Sequence, residues 1–190
     1  GMLRTLVWAI QEQGRYREAE TLARAVIEIY EKTGSASDSV LLAGARAQLA
    51  TALAFQRRYN EGLAEYDTIR AGLAGDPEHL KKFLDGHVGY AATLLRTGRV
   101  DPALEILGVA RDKASRLVGE RHPNTAGIRG FVAEAYLAKG DRVRALREFR
   151  EATEVLVGRA SDVEDESATR LATDQRLVVM LAAYIGLLAE

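Results

Sequence analysis

The chain has 190 residues, 47% apolar and 28% charged, with a formal net charge of −1. This is the composition of a globular chain, and its charge gives no overall field toward nucleic acid or an anionic membrane. It holds no cysteine, which removes disulfides, thiolate zinc sites and cysteine nucleophiles from these residues.

Apolar residues recur at three and four positions almost throughout, the spacing of one face of a helix. Leu3, Leu6, Val7 and Ile10 predict a helix over about 2–13, and Ala19 to Val26 a second over 16–33. Leu49, Ala50 and Leu53 predict 39–56, and Leu63 to Ile69 predict 60–74. Tyr90, Ala91 and Leu94 predict one helix over 77–97, followed by 101–118 around Ala103 to Ala110. Val132, Ala133 and Tyr136 predict 123–139, Ala145 to Ala152 predict 142–159, and Leu177, Leu181 and Tyr184 predict a last helix over 168–189. Nothing alternates with period two, so no strand is expected. No apolar run reaches the ~18 residues of a membrane span. No leader pattern opens the chain, Gly1 ahead of Met2 reads as a cloning remnant, and a cytoplasmic setting is expected.

Helix starts are marked by Asp76-Pro77, Asp101-Pro102 and His122-Pro123, and by Asn60 and Asp141 as caps. The connections around Gly14, Gly98 and Gly140 span three or four residues and force antiparallel neighbours. They belong to a motif that returns four times: Gly14-Arg15-Tyr16-Arg17-Glu18-Ala19, Arg57-Arg58-Tyr59-Asn60-Glu61-Gly62, Gly98-Arg99-Val100-Asp101-Pro102-Ala103 and Gly140-Asp141-Arg142-Val143-Arg144-Ala145. A fixed period of roughly 42 residues marks helical hairpins that bury a core only by stacking on one another. The expected fold is an all-α, right-handed solenoid of four helix pairs plus one terminal helix. Its repeats run over about 2–37, 38–75, 76–120 and 121–160, with the extra helix at 168–189. The odd helix and the two uncapped ends imply a single array that is part of a longer chain.

These residues resemble the tetratricopeptide repeat family. In the fourth repeat Val132-Ala133, Tyr136, Gly140-Asp141, Ala145, Phe149 and Ala152 stand at that motif's small and large packing positions. The usual tryptophan of the first helix is replaced by Leu3, Arg46, His87 and Arg129, and Leu107 stands where an aromatic is usual. The long period and Gly119-Glu120-Arg121-His122-Pro123-Asn124-Thr125 are similar to the kinesin-light-chain-like subclass. The segment from Phe149 to Ala189 is similar to the stretch before the caspase-like peptidase domain of bacterial tetratricopeptide–CHAT proteins, although no catalytic His/Cys pair is present.

The resemblance implies that the first helix of each pair, helix A, lines a concave groove that binds protein. The candidate binding residues are Trp8, Gln48, Thr51, Phe55, Asp85, Val88, Ala92, Arg96, Phe131 and Glu134. This face is small, apolar and weakly charged. It lacks the Lys, Arg and Asn clamp with which such arrays hold a C-terminal carboxylate. A protein or peptide partner is expected, the rest of the same protein included, with no nucleic acid, membrane, cofactor or metal. The plain alternative is that the face packs on neighbouring repeats.

No catalytic role is expected. His79 and His122 sit at helix starts, His87 at a packing position, and none has matching ligands. The acids of 162–166 read as a solvated loop, and Arg142, Arg144, Arg147 and Arg150 as a solvated convex face. Two functions remain open. One is a scaffold or sensor region of a larger bacterial protein. The other is a regulatory domain that binds a peptide signal and controls an attached enzyme or transcription factor.

Overall fold

The computed structural model describes residues 2–36, 38–160 and 168–189, with the side chains of 12, 159–177 and 179 left aside. The described residues form ten helices and no strands: α1 (Met2–Glu12), α2 (Tyr16–Lys32), α3 (Val40–Phe55), α4 (Tyr59–Gly72), α5 (Pro77–Leu84), α6 (Val88–Arg96), α7 (Val100–Val118), α8 (Pro123–Ala138), α9 (Arg142–Ala160) and α10 (Ala168–Ala189). The pairs α1–α2, α3–α4, α6–α7 and α8–α9 are helical hairpins, and the A helices α1, α3, α6, α8 and α10 contact one another in sequence. The last of them also meets α1, so the inner row curves until its ends touch. The acidic stretch 162–166 lies outside the described residues.

One backbone device makes all four hairpins. The amide of residue 14, 57, 98 or 140 bonds the carbonyl three residues back, and the next amide bonds the carbonyl five residues back, as in Gly98 N to Leu95 O and Arg99 N to Leu94 O. This Schellman closure requires a left-handed residue. Gly14, Gly98 and Gly140 supply it at φ of 73°, 79° and 75°, and Arg57 supplies it at 63° against the steric preference of an L-residue. The turn leads directly into the next helix. α4 and α7 therefore begin at Tyr59 and Val100, and the expected caps Asn60 and Asp101 lie inside the first turn. Asp141 does cap α9, accepting the Arg144 amide at 3.0 Å.

The predicted helix over 77–97 is two helices. Asp76 caps α5 by accepting the His79 amide at 2.9 Å. Gly86 then turns left-handed at φ 75°, and His87 caps α6 with its ring nitrogen on the Tyr90 amide at 3.2 Å. Asp85-Gly86 is a turn signal inside a periodic pattern, and the periodicity masks it because Leu80, Phe83 and Leu84 of α5 still reach the core.

The core is a chain of clusters along the array. Ala19, Ala103 and Ala145 are wholly buried at one motif position, where each B helix crosses its A helix. The second repeat has Gly62 there, because a Cβ would stand 3.0 Å from the Ala50 carbonyl. Leu49, Leu53, Tyr66, Leu107 and Phe149 are the large side chains that fill the space between. Fully burying each stabilises by roughly 1.5–3 kcal/mol.

Candidate functional site

The A helices place the candidate residues on or near the inner row, and the structure divides them. Trp8 on α1 is 57% exposed. Val88 and Ala92 of α6 and Phe131 of α8 are half-buried, with Val88 and Phe131 against the central core. Arg96 and Glu134 form an ion pair at 2.5 Å across α6 and α8. Glu134 is only 11% exposed, and burial raises its carboxyl above the usual range while Arg96 opposes the rise.

The other four serve the array itself. Gln48 donates to the Arg4 carbonyl at 2.7 Å, and its own carbonyl accepts from Gln11 at 2.7 Å, tying α3 to α1. Thr51 sits at the α3–α6 crossing, where a Cβ on Gly89 would lie 2.6 Å from its hydroxyl. Phe55 stacks on Tyr16 of α2, with ring centroids 4.6 Å apart and planes 11° from parallel. Asp85 closes α5, pairing with Lys81 at 2.6 Å and accepting Lys113 on its carbonyl at 2.9 Å. Of the apolar candidates, Val88, Ala92 and Phe131 thus lie on α6 and α8, while Phe55 packs on α2.

Helix-interior glycines mark the inner contacts that the sequence pattern passes over. The Arg4 guanidinium lies on Gly44, Thr51 and Tyr66 lie against Gly89, and the Met180 sulfur of α10 lies on Gly130. Their signal was available, since a glycine inside a helical pattern usually has a packing reason.

The position usually held by tryptophan is used in two ways. Arg46 reaches Glu31 of α2 at 2.7 Å and Glu65 of α4 at 2.8 Å. Arg129 reaches Glu120 at 2.6 Å, Glu148 at 2.7 Å and Glu151 at 2.8 Å. Each arginine thus bridges its own B helix to the segment before it. Between them in sequence, His87 is enclosed by Phe83, Tyr66 and Tyr90.

Of the histidines at helix starts, His122 acts as a cap, its ring accepting the Asn124 amide at 3.1 Å, while His79 lies in the first turn with its ring 3.8 Å from Asp76. On α9, Arg142 donates to the Leu187 carbonyl of α10 at 3.0 Å. Arg144 pairs with Asp141 at 2.6 Å and lies 4.8 Å over the Tyr136 ring.

Residues 2–33 match the tetratricopeptide repeat family model. No curated protein matches the chain. Among solved structures, the chain is similar to nearly identical TPR-like repeats assigned to a kinesin light chain of Podosopora anserina, at TM-score 0.57 and 21% identity over 99% of this chain and 90% of that one. A single-substitution variant of that protein aligns at TM-score 0.56, again at 21% identity over 99% and 90%. The chain therefore has the α-solenoid fold of tetratricopeptide repeat arrays.

Proposed function

We propose that residues 1–190 form one non-catalytic interaction module that binds a partner helix or extended peptide on its concave side. The observation that carries this is the inner face of α6 and α8. Val88, Ala92 and Phe131 remain partly accessible there beside the Arg96–Glu134 pair, and the tryptophan Trp8 stands exposed on α1. Small residues let a partner backbone approach, and aromatic side chains anchor it. In the finer reading the array is the scaffold or sensor part of a larger, cytoplasmic bacterial protein with a caspase-like domain attached. Its support is the likeness of the segment from Phe149 to Ala189 to the stretch before such domains. Control of an attached enzyme or transcription factor by a bound peptide signal is the alternative for the same face.

The test is capture of partners by the immobilised array at low and high salt, comparing wild type with Phe131→Ala and Ala92→Glu. Both variants should bind several-fold less while keeping the helical signal, and binding should depend weakly on salt, since screening acts on charge. A steep loss with salt and no effect of Phe131→Ala would move the site to the arginines of α9.

A further inference from the structure

A left-handed glycine and a half-buried imidazole that caps a helix meet at the α5–α6 break. Gly86 stands left-handed between α5 and α6, and beside it His87 caps α6 through Nδ1, which accepts the Tyr90 amide at 3.2 Å. The Tyr66 hydroxyl lies 3.4 Å from the same nitrogen. The rings of Tyr66, edge-on at 5.5 Å, and Phe83 at 6.1 Å enclose the imidazole. An amide donor needs a lone pair on Nδ1, so this geometry accepts the neutral ring only.

Among the described residues no carboxylate pairs with the ring. From α3 comes Thr51, against Gly89 together with the Tyr66 hydroxyl and the His87 ring. From α4 come Tyr66, whose ionisation burial suppresses, and Arg70, which reaches the Tyr90 hydroxyl at 3.5 Å. From α5 comes Lys81, paired with Asp85. From α6 comes Tyr90. From α7 come Lys113, bonded to the Asp85 carbonyl and packed on Gly86, and Glu105, whose field acts on Lys81. Asp85 is thus engaged with Lys81, while Arg70 and Lys113 are the cations on the neighbouring helices.

We propose that His87 makes the α5–α6 break a pH-sensitive hinge, capped and closed when the imidazole is neutral and released when Nδ1 takes up a proton from solvent. Protonation converts Nδ1 from acceptor to donor, so the Tyr90 amide loses its partner and α6 its cap. Burial lowers the proton affinity of the closed state. The open state binds the proton with an ordinary imidazole affinity, near pH 6.5. The closed state therefore carries fewer protons, and closure weakens as pH falls below that value, by at most about tenfold per pH unit for one proton.

The experiment follows hydrogen exchange at the Tyr90 amide, corrected for the intrinsic exchange rate, from pH 7.5 to 5 in the whole chain. Wild type should open several-fold more readily per unit of acidification below about pH 6.5, while His87→Asn, which keeps a cap acceptor without a titrating ring, should show a flat profile. Parallel profiles in the two proteins overturn the hinge. Imidazole NMR on wild type gives a second reading that does not depend on a variant folding. His87 should titrate well below the ordinary imidazole range, with Tyr90 protection lost in the same range. Titration within the ordinary imidazole range, leaving Tyr90 unchanged, overturns the proposal.

Discussion

The third and fourth repeats start alike and then part. Each opens its A side with a capped proline, Asp76-Pro77 and His122-Pro123, yet α8 runs unbroken to Ala138 while the third repeat stops at Leu84 and restarts at Val88. The divergence occurs at two aligned residues. Where α8 has Ile128 and Arg129, the third repeat has Gly86 and His87. A left-handed glycine ends the helix, and the side chain after it is spent as a cap. In the intact helix the same position carries Arg129, whose largely covered side chain reaches three carboxylates. Loss of one backbone hydrogen-bonded turn thus exchanges a charged inter-helix bridge for a neutral aromatic enclosure. The short helix α5 has no fully buried residue, so this is the weaker part of the array.

That contrast can be broken from the fourth repeat first. Arg129→Ala removes the closest partner of Glu148, which is 3% exposed, and should destabilise by about 3 kcal/mol, because a buried carboxylate is left behind. Arg111, at 3.5 Å, limits the loss. Urea unfolding measures it, and Arg129→Ala together with Glu148→Leu should recover part. An equal loss in the double variant would deny the coupling. The equivalent Arg46→Ala should lose less, since Glu31 is half exposed.

Next comes the contact that holds α6 in place. Gly89→Ala would put a Cβ 2.6 Å from the Thr51 hydroxyl and 3.1 Å from that of Tyr66. Overpacking of this kind costs about 1–3 kcal/mol. Gly127→Ala, with open space around it, should be neutral or slightly stabilising in the same melts. Equal effects would mean that α6 is free to shift.

The smallest effect is expected at the second turn. Arg57→Gly relieves a left-handed arginine and should stabilise by about 0.5–1 kcal/mol, the steric gain exceeding the added chain entropy. A lower melting temperature would show that the arginine side chain contributes more there than its backbone loses.

Much of this fold is legible in local pattern. The hairpins follow from Gly14, Gly98 and Gly140, and the buried positions from Ala19, Ala103, Ala145 and Phe149. The second turn is legible only by analogy with its sisters, since Arg57 carries no glycine signal. The concave face reads less well. Periodicity places Gln48, Thr51 and Phe55 on the correct helix, but whether a side chain at the edge of a stripe meets a neighbour depends on how closely two helices approach. That distance is set by Gly44, Gly89 and Gly130 together with the residues opposite them.

By itself, then, the sequence determined the period, the antiparallel pairing and the residues that bury, because each is decided within a few residues by helical spacing and backbone sterics. Only the tertiary structure decided that α10 would reach α1, that Arg46 and Arg129 would bridge carboxylates on other helices, and that His87 would pack among aromatic rings. Those outcomes depend on small rotations summed over successive hairpins and on partners far away in the chain. No local window contains either.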